Sequence, residues 1–155
     1  MKFRGRFTSH DLDMAYAYFN EINIIAQLSS NRIERELPHG LTLSQFAVLN
    51  WFVRVDCEAT PTRLARAFQV TKGAMTNTLG KLSAKGFIRL QPDPVSGRQK
   101  QVRMTAKGRR AHTSAIARTH PALHETLVHF GVAPLAEQLP LLRTMRIYLD
   151  EVRNT

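Results

Sequence analysis

Between Thr60 and Met104 the apolar spacing changes from helical to alternating, and this one switch limits the possible folds more than any other feature of the chain. Thr60-Pro61 is a helix start: the hydroxyl caps, and proline sits where its missing N–H costs nothing. Leu64, Ala65 and Phe68 carry this helix to about Gln69-Val70. Thr71 is a fresh cap, so a second helix, about Lys72 to Lys85, follows after a short turn. Met75, Leu79 and Leu82 fall at i, i+4, i+7 and face a core. The opposite face, Lys72, Gly73, Thr76, Asn77, Gly80, Lys81 and Ala84, is small, polar and basic, and Gly86 closes the helix. Ile88 and Leu90 then point one way, Arg89 and Gln91 the other. Beyond the turn-rich Pro92–Arg98, Val102 and Met104 alternate with Gln101 and Arg103. A helix-turn-helix followed at once by a hairpin with a basic tip is a winged helix, so the fold expected is mainly α with a small β-hairpin wing.

Residues 10–37 read as a long helix with Leu12, Tyr16, Phe19, Ile22 and Ala26 at three- and four-residue spacing, ended by Pro38 and Gly40. Residues 42–54 form a helix opened by Thr42 or Ser44. Phe46, Leu49 and Val53 share one face, but Val48, Trp51 and Phe52 make the others apolar, the mark of a buried helix. Asp56–Ala59 reads as a short polar connector. Thr105 caps a helix reaching about Thr119, Pro121 kinks or restarts it, and Gly131–Pro134 is a break. A last helix carries Leu135, Leu139, Leu142, Met145 and Leu149.

The charge is segregated. The chain has 155 residues and a net charge of +10. From Arg54 to Arg110 there are thirteen Lys and Arg against Asp56, Glu58 and Asp93, and thirteen minus three is +10; the rest of the chain sums to zero. A surplus confined to one contiguous third suggests a polyanion-binding module in a neutral scaffold. Its placement agrees. A cation at a helix N-terminus opposes the dipole by roughly 0.3–1 kcal/mol, yet Lys72 opens one helix and Lys107, Arg109 and Arg110 crowd the start of another. A phosphate approaching those ends turns dipole and cations alike to advantage.

The run Leu64–Arg110, "LARAFQVTKGAMTNTLGKLSAKGFIRLQPDPVSGRQKQVRMTAKGRR", resembles the winged-helix core of the MarR (multiple antibiotic resistance regulator) family. The marks are the helix "VTKGAMTNTLGKLSAKGFI", the wing "DPVSGRQK" and the strand-to-helix step "VRMTAKGRR". The resemblance implies a homodimeric regulator of transcription on a pseudopalindromic operator, often a repressor relieved by a small molecule. It implies a winged module at 41–110, an N-terminal dimerisation helix at 1–40, and a linker with dimerisation helices at 111–155. By similarity Thr71, Lys72, Gly73, Thr76, Asn77 and Lys81 lie on the helix entering the major groove. Asn77 suits a bidentate adenine contact, while Thr71, Thr76 and Lys81 suit phosphates. Arg98 resembles the wing-tip arginine of the minor groove and Asp93 the carboxylate that orients it; Asp93 between prolines is also an ordinary turn residue. Lys100 joins the same DNA-facing set. Two apolar-striped terminal helices suit packing across a two-fold axis, which sets two recognition helices about 34 Å apart. A small aromatic or phenolic ligand is expected near the buried second helix, with Phe19, Phe46, Trp51 and Arg54 as lining residues or as plain core.

Other readings have less behind them. Cys57 lies between Asp56 and Glu58, whose charges disfavour the reactive thiolate. His120 and His124 stand at i, i+4, but Pro121 interrupts them and no cysteine joins them, so solvated or capping roles are expected for His112, His120, His124 and His129, with no metal and no cofactor. No nucleophile elbow, phosphate loop or HExxH motif points to an enzyme. An architectural, sequence-tolerant DNA binder is the main competitor. No apolar run approaches the ~18 residues of a membrane span, and a cytoplasmic protein is expected.

Overall fold

The computed structural model of the chain describes residues 5–92 and 100–153. The elements run α1 (Ser9–Glu36), α2 (Leu43–Arg54), β1 (Glu58–Ala59), α3 (Pro61–Ala67), α4 (Lys72–Ala84), β2 (Ile88–Pro92), β3 (Lys100–Met104), α5 (Ala106–Phe130) and α6 (Ala133–Arg153). The expected class is the one observed: mostly helix with a small antiparallel sheet. Two compact units are formed, Met1–Arg118 and Thr119–Thr155.

Threonines set the starts of the first unit's helices. Thr8, Thr42, Thr60 and Thr71 each cap a helix, their hydroxyls accepting from the N–H of Asp11, Gln45, Arg63 and Ala74. Thr8 and Asp11 form a full capping box. Of the two starts considered for α2, Thr42 is the one used. Gln69, at φ 55°, makes the turn between α3 and α4 in the left-handed region.

The core of this unit gathers Val48, Leu49 and Phe52 of α2, Leu64 and Ala65 of α3, Met75, Leu79 and Leu82 of α4, Ile88, Val102, and Ala111 and Ala115 of α5. Leu49, Leu64, Leu82 and Val102 are fully buried, each worth about 1.5–3 kcal/mol relative to exposure. The α2 stripe is narrower than expected: Val53 is 40% exposed, and Gln45, a polar residue, lies in the core beside Val48 and Leu49.

The polar connector is in fact a strand. Glu58 and Ala59 pair antiparallel with Arg103 and Val102, giving a three-stranded sheet of order β1-β3-β2. Two residues are too few for alternation to show, but Ala59 is buried and its pairing closes one edge of β3. Alternation also overstates β2. Ile88 is buried, whereas Leu90, opposite the fully buried Val102, is 36% exposed on the edge strand of the sheet.

The helix expected to stop near Thr119 continues through Pro121 to Phe130. Proline's fixed φ is compatible with a helix, and the cost is one absent N–H donor. In the second unit, α6 likewise contains Pro140, and the stripe residues Leu135, Leu139, Leu142 and Leu149 are exposed, with Met145 half-buried. In the first unit α1 buries no residue at all: Leu12, Tyr16 and Phe19 of its stripe are all exposed, Tyr16 by 77%.

Candidate nucleic-acid interface

Helix α4 is two-faced. Met75, Leu79 and Leu82 are buried, while Lys72, Gly73, Thr76, Asn77, Gly80 and Lys81 are exposed. The cap Thr71 is exposed, as is Lys100 at the start of β3. Seven of the nine expected DNA-facing residues therefore stand on solvent-facing positions of α4 and β3; Asp93 and Arg98 lie outside the described residues. The Thr76 hydroxyl donates to the Lys72 carbonyl at 2.8 Å, so it must turn away from its own helix to donate to a phosphate.

The basic residues divide into two groups. Arg63 pairs with Asp56, Arg103 pairs with Glu58, and Arg63 also lies 5.1 Å from the Trp51 ring centroid. Lys85 bonds to the carbonyls of His39 and Gly40, and Lys107 bonds to the Lys85 carbonyl and covers the Phe87 ring. Lys107 thus holds the end of α4 rather than waiting for an anion at the start of α5. Arg66, Lys72, Lys81, Arg89, Lys100, Arg109 and Arg110 remain exposed. Arg89 and Arg103 stand directly opposite in the β2–β3 ladder, and Glu58 on the other side of β3 balances the charge of Arg103.

The four residues expected to line a ligand pocket are only partly brought together. Phe46 and Trp51 are half-buried on α2. Phe46 stacks on His112 at 5.6 Å, and Trp51 meets Phe52 edge-on. Arg54 is exposed and donates to Asn50, and Phe19 is exposed on α1. An apolar cleft of about 320 Å³ does exist in this unit, but Leu43, Ala47, Val48, Phe68, Val70, Ala74 and Met75 line it instead.

His112 is neither solvated nor a cap. It is 8% exposed, and its Nε2 lies 3.1 Å from Asn50 Oδ1. That oxygen can only accept, so Nε2 carries the proton of the neutral ring. The residue belongs to the core contact of α5 with α2, and its i, i+4 helical spacing from apolar neighbours such as Ile116 was the available signal. Burial, then the charges of Arg54 and Arg109, holds the imidazole below its usual pKa. The unfolded chain therefore takes up this proton first. Stability is full above pH about 6.5 and falls as pH drops through that value, at up to about 1.4 kcal/mol per pH, until the folded form also protonates. Denaturant unfolding between pH 5 and 8 is expected to show this slope in the wild type and a flatter one in His112→Phe; equal slopes would show that His112 does not carry it. Asp11 and Asp56 have lowered pKa values, from bonds to Thr8 and to Arg63 respectively, and lose their contributions at more acid pH.

Cys57 is exposed, and its two acidic neighbours are each paired to an arginine. Among the described residues no group of three or more His, Cys, Asp or Glu could hold a metal ion. Among them, too, no helix is long and apolar enough to cross a membrane.

The sequence model of the MarR family matches residues 39–99, from the α1–α2 joint to just before β3. No curated protein matches the chain. Among solved structures, apo wild-type MarR from E. coli is 25% identical, with 81% of this chain and 94% of that chain covered and a TM-score of 0.71. The transcriptional regulator BldR from Sulfolobus solfataricus is also 25% identical, covering 90% and 99%, with a TM-score of 0.73. A mutant E. coli MarR complexed with operator DNA is 24% identical, covering 86% and 96%, with a TM-score of 0.73. The chain is thus similar to the MarR family in sequence over residues 39–99, and similar in fold to solved MarR and BldR over most of its length.

Proposed function

We propose that the chain is a sequence-specific DNA-binding regulator, acting in the cytoplasm as a homodimer on a pseudopalindromic operator. The observation that carries this reading is the two-faced α4: three apolar residues anchor it, and its outward face is small, polar and basic with nothing bulky to prevent close approach. Thr71, Lys72, Gly73, Thr76, Asn77 and Lys81 supply the major-groove contacts, and Lys100 with the wing residues Asp93 and Arg98 the flanking ones. The related MarR that was solved with operator DNA supports this assignment.

Residues 41–110 form the DNA-reading module, and the helices of 1–40 and 111–155 the dimer scaffold. Support for dimerisation comes from α1, which leaves Leu12, Tyr16, Ile25 and Leu28 exposed, and from α6, which leaves Leu139, Leu141, Tyr148 and Leu149 exposed, apolar side chains of the kind that a partner covers. Repression relieved by a small aromatic or phenolic ligand is the regulatory form proposed, with Phe19, Phe46, Trp51 and Arg54 as the candidate contacts; the half-burial of Phe46 and Trp51 supports it.

Asn77 decides whether α4 reads bases. Asn77→Ala, titrated against single-base variants of a duplex recovered from a random pool by the wild type, is expected to lose about 1–3 kcal/mol of discrimination at one position. Equal weakening on every variant would make Asn77 a phosphate-positioning residue.

A further inference from the structure

Lys85 counts toward the surplus charge, but its half-buried ammonium is committed to acceptors of the protein itself. Nζ donates to the carbonyl oxygens of His39 at 3.1 Å and Gly40 at 2.5 Å, and to Gln45 Oε1 at 3.1 Å. An ammonium has three protons, so each has an acceptor and none is left for a phosphate. His39 and Gly40 form a left-handed pair at φ 61° and 59°, and Gln45 is buried on α2. The side chain of the residue that caps the C-terminus of α4 is therefore tied to the α1–α2 joint and to α2 itself.

The backbone at the same corner is held from the other side. The carbonyl of Lys85 accepts from Lys107 Nζ at 2.9 Å, that of Gly86 from Thr105 Oγ1 at 2.7 Å, and that of Phe87 from the Thr105 N–H at 3.0 Å. Three successive carbonyls after α4 are thus fixed by the start of α5. Without the Lys85 ammonium, α4 would keep its core anchors Met75, Leu79 and Leu82 and the α5 bonds, but its C-terminal end would lose its polar tie to the α1–α2 joint and the buried Gln45 oxygen would lose its donor.

We propose that Lys85 is a positioning residue for DNA recognition: its three-way bond to His39, Gly40 and Gln45 sets the angle at which α4 meets the groove, and it touches no phosphate. This rests on the DNA-binding reading above. Base-edge contacts depend closely on that angle, whereas the sequence-independent electrostatic attraction to the duplex depends on it little. Loss of Lys85 therefore removes discrimination and leaves the salt dependence intact, opposite to the loss of an exposed cation such as Lys81.

The full chain, Lys85→Met, Lys85→Arg and Lys81→Met are titrated against the duplex the wild type selects and against its scrambled counterpart, between roughly 50 and 200 mM salt. Lys85→Met is expected to lose about tenfold on the selected duplex, to bind the scrambled one as the wild type does, and to keep the wild-type slope of log K against log salt. Lys81→Met is expected to lower that slope by about 0.9 on both duplexes. Lys85→Arg keeps the charge but offers a planar fork in place of three diverging protons, and is expected to behave like Lys85→Met. Should circular dichroism show Lys85→Met unfolded, Gln45→Leu, which removes one acceptor, carries the same expectation. A slope reduced by about 0.9 in Lys85→Met, or a Lys85→Met that keeps wild-type affinity and discrimination, overturns the proposal. A wild type that does not distinguish the two duplexes overturns the DNA-recognition reading itself, and this inference with it.

Discussion

Gly108→Ala is expected to lower the stability of the chain by at least about 3 kcal/mol, beyond the usual range for a single added methyl. The reason is the distance to a neighbour that cannot yield. A Cβ at position 108 would lie 2.0 Å from the Phe87 carbonyl oxygen and 2.9 Å from its carbon, with Met104 Cγ at 3.0 Å. The oxygen is fixed because it accepts from the Thr105 N–H. Relief would require α5 to lift from the β2 corner, breaking the bonds Thr105 makes to Gly86 and Phe87. Chemical denaturation measures the loss directly. A variant melting within about 0.5 kcal/mol of the wild type would show that the α5 approach is looser than described.

Leu82→Ala is the second large effect, expected at about 2–5 kcal/mol and a midpoint lower by roughly 5–15 °C. Leu82 is fully buried on the inner face of α4, so truncation opens a cavity directly under that helix. Leu90→Ala is the matched comparison. Alternation assigns Leu90 to the same core, but it is 36% exposed on the edge strand β2, and its truncation is expected to stay within about 0.5 kcal/mol. Equal losses in the two variants would restore the simple alternating pattern and contradict the placement of β2.

Local chemistry that recurs over many residues was legible in the sequence. The threonine caps, the α4 stripe of Met75, Leu79 and Leu82, and the change of period at Ile88 each repeat a signal over a turn or a strand. What was not legible depends on partners distant in the chain. Glu58-Ala59 becomes a strand only because Arg103 and Val102 lie opposite. Lys85 and Lys107 look like DNA-facing cations until carbonyls 45 and 22 positions away claim them. His112 looks like a solvated residue until Phe46 and Asn50 of α2 enclose it. Gly108 lies in the strand-to-helix step VRMTAKGRR, but that step does not say why a glycine is needed there; its necessity comes from one backbone oxygen. In the candidate site, the outward face of α4 was readable because amphipathic spacing defines both faces at once. The division of the basic residues into structural and exposed was not, since charge alone does not say which acceptor a lysine meets.

The most direct test of the central claim, that the outward face of α4 reads a symmetric site in duplex DNA, is selection of bound duplexes from a random pool by the full chain. Enrichment of an inverted repeat with half-site centres about one helical turn, roughly 10 base pairs, apart is expected. A recovered pool no different from the input, with equal affinity for its members at matched salt, would contradict it.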